Sequence, residues 1–246
     1  MNPKPGYVTL SVDDGTWMRA YIVRPAEKVK AGLLVFQEAF GVNAHIREIA
    51  ERFAREGYLA IAPELFHRTG PNFESGYTDF SAVMPHMQGL TDQGLAADIR
   101  AAFKWIQNDS PNLKTAAVGY CMGGRTAFLA ALTVPLSCAI SYYGGGIAPS
   151  QFFPGLIDRV ESLAAPVLFF WGGRDQHIGP EQVQAVTNAL RTARKTYVNV
   201  EFSDADHGFF CDARASYNPT AAAEAWPLTL AFLDTQITGT SRGAEA

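Results

Sequence analysis

Thr115-Ala116-Ala117-Val118-Gly119-Tyr120-Cys121-Met122-Gly123-Gly124-Arg125-Thr126 is the stretch on which the fold turns. Thr115 to Tyr120 has the composition of a buried strand, and a helical stretch runs from Arg125 to Leu132. Between them lies a G-x-C-x-G elbow. A turn that tight strains the backbone at its central residue, so the neighbours two positions away must lack side chains, and here both are glycine. The Cys121 thiol would project above the sheet at a helix N-terminus. The partial positive charge there favours thiolate, and the free N–H groups can hold an oxyanion. A cysteine by itself is more often a small core residue; its place in the elbow favours the nucleophile.

Upstream of the elbow, Tyr7 to Val12 and Met18 to Val23 flank Asp13-Asp14-Gly15 and read as a hairpin. Ala31 to Glu38 is almost continuously apolar, as expected for a strand buried on both faces of a parallel sheet. Ile46, Ile49, Ala50 and Phe53 recur at helical spacing, Gly57 stops that helix, and Tyr58 to Ala62 is the next strand. Leu95, Ile99, Ala102, Phe103 and Ile106 form a second helical stripe ending near Ser110. Downstream, Leu136 to Tyr142, Pro166 to Trp171 and Val198 to Phe202 read as strands, the last two separated by a helix through Val183, Val186 and Leu190. The alternation predicts an α/β fold with a mostly parallel sheet. Residues 63–91 break the pattern and are expected to form a lid or binding loop. No linker divides the chain, so one domain is expected over residues 1–237, with a frayed tail over 238–246.

Composition narrows the function. The 246 residues carry 20 Lys and Arg against 24 Asp and Glu, a net charge of −4, which argues against binding nucleic acid through its backbone charge. With 48% hydrophobic residues the chain can bury a large core. No apolar stretch reaches membrane-spanning length, and no apolar segment follows Lys4 as in a signal peptide. Cys121, Cys138 and Cys211 are too widely spaced for a disulfide scaffold or a zinc ribbon, so a reducing, cytoplasmic setting is expected. The oligomeric state, monomer or homodimer, is open.

A thiol nucleophile needs a base and a group that orients the base. Asp175 stands just past one buried strand and His207 just past the last one. Nucleophile, acid and histidine in that chain order is the α/β-hydrolase order. Taken singly, Asp175 can be an ordinary turn acid and His207 a hydrogen-bonded loop residue; three strand-end positions in the required order favour catalysis. Glu38 leaves its strand at the same sheet edge, where open α/β sheets bind ligands, although a strand-exit carboxylate is often only solvated. His45, His67, His86 and His177 show no metal-ligand spacing, Asp204 and Asp206 read as surroundings of His207, and no phosphate-binding glycine motif follows a strand. No metal or cofactor is expected. Trp17, Phe73, Tyr77, Phe80 and Tyr143 could line an apolar pocket, or pack in the core or lid.

Gln37-Glu38-Ala39-Phe40-Gly41, Gly119 to Gly124, Trp171 to Asp175 and His207-Gly208-Phe209 together resemble the dienelactone hydrolase family over nearly the whole chain. The resemblance implies a single α/β-hydrolase domain and a carboxylic ester hydrolase acting on a small ester or lactone. It assigns Cys121 as nucleophile, His207 as base, Asp175 as the residue orienting His207, and Glu38 as a contact of the resting thiol that helps generate thiolate. It also implies the backbone N–H groups of Ala39 and Met122 as oxyanion donors. A thioesterase or peptidase with the same residues, and a non-catalytic binding or redox-sensing protein using Cys121, are the rival readings. Family members that act on an acidic lactone grip its carboxylate with arginines, one in the lid and one a few residues past the histidine. Residues 70–99 hold no Arg or Lys, and Gly208-Phe209-Phe210-Cys211-Asp212 follows the histidine. An apolar pocket from Phe73, Tyr77, Phe209 and Phe210 is therefore expected to favour neutral substrates, with Arg68 and Arg125 the cations that could still reach the cleft.

Overall fold

A computed structural model describes residues 2–150 and 153–239. Eight strands form one sheet: β1 (Lys4–Ser11), β2 (Trp17–Arg24), β3 (Ala31–Phe36), β4 (Tyr58–Pro63), β5 (Thr115–Tyr120), β6 (Ala139–Tyr142), β7 (Val167–Gly172) and β8 (Tyr197–Phe202). Their order across the sheet is β1-β2-β4-β3-β5-β6-β7-β8. The first hairpin is antiparallel, β2 pairs antiparallel with β4, and every pair from β4 to β8 is parallel. Successive side chains on a strand point to opposite faces, so β3, β4, β5 and β7, buried at every position, must be covered on both sides. β8, at the edge, alternates between partly buried and exposed along its second half. The expected α/β architecture is what the chain adopts.

Helix α1 (Ala44–Arg55) turns Ile46, Ile49, Ala50, Phe53 and Ala54 inward, and its N-cap Asn43 accepts a hydrogen bond from the Ile46 amide at 3.3 Å. The excursion over residues 63–91 is not all loop. It contains α2 (Phe80–Gln88), capped by Asp79, which the sequence pattern hides because Val83 is its only fully buried residue and Pro85 lies inside it. Val83 packs on Ala39 and Phe40, with Phe73, Tyr77 and Met87 around them, so this segment covers the chain leaving β3.

Beyond it lie α3 (Asp92–Asp109), α4 (Met122–Ala131) and α5 (Pro180–Thr192). A last helix, α6 (Pro219–Thr238), fills the interval after β8 where no element was expected. Thr238, expected to begin the tail, closes this helix, and the rest of the expected tail lies outside the described residues beyond Gly239. No helix among the described residues is long and apolar enough to cross a membrane.

Candidate active site

The parallel register sets Phe36 beside Gly119, Tyr120 beside Tyr142 and Tyr142 beside Phe170. The segments leaving β3, β5, β7 and β8 thus emerge at one edge of the sheet, carrying Glu38, Cys121, Asp175 and His207.

Cys121 has φ 56° and ψ −121°, a left-handed conformation that costs an L-residue about 1–3 kcal/mol. Its amide donates to the Tyr142 carbonyl at 3.0 Å and its carbonyl accepts from the Gly124 amide at 2.8 Å, which pins the elbow from both sides. A Cβ on Gly119 would collide with the Gly123 carbonyl, and one on Gly123 with the carbonyls of Phe36 and Gln37. These glycines let the start of α4 press against the chain leaving β3, near Ala39. Met122 is the first residue of α4, so its N–H belongs to those that a helix leaves without an internal partner.

His207 Nδ1 lies 2.8 Å from Asp175 Oδ2, and both side chains are nearly buried. Asp175 Oδ1 accepts from the amides of His177 at 2.8 Å and Ile178 at 3.0 Å, so the carboxylate is fixed by the turn that carries it. The His207 ring sits edge-on to Tyr143 and His177, and the Cys121 sulfur is close enough to act on its charge. Burial alone would lower its pKa. The sulfur and the carboxylate together outweigh burial and raise it from 6.5 to about 10.

Glu38 is fully buried, and its Oε1 accepts from Arg214 Nη1 at 3.1 Å. Arg68 and Arg125 are the cations expected to reach the cleft; Arg214 faces Glu38 instead, past the expected position after His207, because the chain doubles back. Cys211 N donates to the Gly208 carbonyl and Arg214 N to the Cys211 carbonyl, each at 3.1 Å, and the guanidinium passes so close over Gly208, at φ +79°, that a Cβ there would strike it. The same guanidinium lies over the rings of Phe40 and Tyr77.

Arg68 and Arg125 are committed elsewhere. Arg68 pairs with Asp14 and Asp98. Arg125 is buried, donates from Nε to the Gly146 carbonyl at 2.9 Å and holds Asp92 as an ion pair at 2.7 Å without hydrogen-bond alignment.

The expected pocket aromatics divide. Tyr143, buried at φ 38°, touches His207, whereas Tyr77 and Phe73 belong to the apolar cluster beneath α2. Phe209 packs on Tyr142, Tyr143 and Phe202, and Phe210 stacks on Tyr120, so both are core residues rather than cleft walls. Trp17 is exposed on the edge hairpin and Phe80 is half-exposed against Phe40. The Tyr77 hydroxyl accepts from Asn43 Nδ2 at 3.0 Å, and burial pushes the Cys211 thiol up to about 11. The three cysteines are free.

The model of the dienelactone hydrolase family matches residues 18–237. The chain belongs to the dienelactone hydrolase family. It is 35% identical over 224 residues to the "Putative carboxymethylenebutenolidase" of Synechocystis, covering 86% of this chain and 90% of that one. Its identity to the protein of the same name in Escherichia coli K12 is 35% over 223 residues, covering 86% and 80%. The solved "Putative Dienelactone Hydrolase" of Klebsiella pneumoniae superposes with a TM-score of 0.85 at 33% identity, covering 94% of this chain and 98% of that one. The dienelactone hydrolase-like promiscuous phosphotriesterase P91, at 23% identity and a TM-score of 0.81, shares the fold. This family member is therefore a hydrolase with a single α/β-hydrolase fold.

Proposed function

We propose that the protein cleaves a small ester or lactone through an acyl-thioenzyme. The observation carrying this reading is the His207 ring fixed by the Asp175 carboxylate at the sheet edge where a backbone-strained Cys121 stands. With His207 protonated, the sulfur attacks as thiolate. The C–S bond forms, and the carbonyl electron pair moves onto oxygen under the N–H groups of Ala39 and Met122. Collapse of that oxyanion expels the alkoxide, which takes the His207 proton. Neutral His207 then deprotonates a water that attacks the thioester, the C–S bond breaks, and the acid leaves with Cys121 as thiolate beside protonated His207. Asp175 keeps Nε2 of the ring turned toward the sulfur, because Nδ1 is occupied. Glu38 is read as the group that tunes thiolate formation, with Arg214 as its ion-pair partner in the interior. Three free cysteines fit a reducing, cytoplasmic setting.

An activated aryl ester should give a stoichiometric burst of phenol followed by steady turnover. Cys121→Ala should abolish both without changing the far-UV spectrum, since the loss is one short side chain. Hydrolysis at the wild-type rate by this variant would end the reading, and Cys121→Ser at wild-type rate would make thiolate chemistry irrelevant.

A further inference from the structure

Behind Glu38, three donor groups converge from three parts of the chain. A Glu38 carboxylate oxygen, a ring nitrogen of His45 and the sulfur of Cys211 all lie within 4.8 Å of one another. Glu38 follows β3, His45 stands in the first turn of α1, and Cys211 lies on the loop after β8. Two of these groups each keep one atom without a hydrogen bond. Oε2 of Glu38, on a side chain with no exposure, has no hydrogen bond, and neither has Nε2 of His45. Buried polar atoms are nearly always satisfied, and leaving one unpaired costs about 1–3 kcal/mol. Two such atoms on side chains this close together point to an occupant that accepts electron pairs.

We propose that Glu38, His45 and Cys211 bind a thiophilic divalent cation of the Zn2+ type. Imidazole, thiolate and carboxylate are the donors zinc takes, whereas Mg2+ and Ca2+ take oxygen alone. Around a tetrahedral zinc such donors stand about 3.3–3.6 Å apart. The three groups therefore have to close by roughly an ångström, which side-chain rotation supplies, and a water fills the fourth position. Cys211 binds as thiolate and gives its proton to solvent. Arg214 occupies Oε1 and leaves Oε2 to the ion.

A neighbouring cavity offers a route in. A cavity of about 200 Å³ between α1 and α6 is lined by His45, Glu48, Arg52, Phe210, Asp212 and Trp226. His45 is common to the cavity and the donor cluster, and Glu48 and Asp212 supply negative charge at the approach. The consequence for turnover rests on the function proposed above: an ion that takes the Glu38 carboxylate withdraws it from the thiol and inhibits.

Co2+ is the probe, because a thiolate bound to it absorbs in the near ultraviolet. Titrated into the reduced full-length protein, Co2+ should produce that band in the wild type and in Cys121→Ala. Cys211→Ser and His45→Gln should each weaken Co2+ binding, and Zn2+ inhibition of ester hydrolysis, by more than about tenfold. Two conservative replacements on different segments guard against one failing to fold, and their thermal melting is compared with the parent. A band lost in Cys121→Ala and kept in Cys211→Ser would place the ion on the nucleophile and overturn the proposal. No band in the wild type at millimolar Co2+, or unchanged Zn2+ inhibition in Cys211→Ser, would overturn it too. Since Cys121→Ala needs no turnover to report binding, failure of the hydrolase reading leaves the metal result readable.

Discussion

The contact between Arg214 and Glu38 is the interaction on which single-residue changes should bite hardest. Both side chains are largely removed from water, so taking away the cation strands a buried carboxylate, a loss of about 3–5 kcal/mol. Arg214→Gln should lower the urea midpoint accordingly at neutral pH. A change below about 1 kcal/mol would mean that the carboxylate already finds other partners. His207 offers a second measurement. Its folded pKa of about 10 stands above the ordinary 6.5, so its stabilisation is complete below about 6.5 and fades as pH rises toward 10. Imidazole nitrogen shifts should show a charged ring at pH 8 in the wild type, and titration at distinctly lower pH in Cys121→Ala, which lacks the sulfur that helps raise it.

Among the secondary-structure elements, the seam between α4 and β3 is where geometry is least forgiving. Gly123→Ala places a methyl group against two backbone carbonyls that cannot rotate away, so α4 must retreat from the chain carrying Ala39. We expect kcat to fall at least tenfold with little change in KM, and stability to drop by about 1–3 kcal/mol. Gly145→Ala, whose new methyl would only graze Ile178 at 3.5 Å, is the control and should retain activity. The central strands were legible as short, nearly unbroken apolar runs, and α1, α3 and α5 because their apolar residues keep a period of three to four. α2 was not, since one buried valine makes no stripe. α6 buries Ala221, Ala222, Ala225, Thr229 and Leu233, a helical spacing obscured by small residues and by Pro227. Glu38, Cys121, Asp175 and His207 could be read because each follows a strand directly. Arg214 arrives by doubling back through turns, and His45 and Cys211 meet only through the third dimension, so no local pattern announces them.

At the scale of the molecule, the three cations considered for the cleft, Arg68, Arg125 and Arg214, all have carboxylate partners. Neutral aryl or alkyl esters and uncharged lactones should therefore exceed an acidic dienelactone in kcat/KM by tenfold or more. A preference for the acidic lactone that disappears in Arg214→Gln would show that Arg214 leaves Glu38 to take the substrate. The order of strands has a further result in time. Cys121 is made well before His207, and the strand that delivers His207 is the last to be synthesised and pairs at the edge of the sheet. During synthesis the sulfur thus passes through an interval without its imidazole, inert toward esters. Recovery of hydrolysis during refolding should then report the docking of β8 rather than the collapse of the core, making catalysis a clock for the final step of assembly.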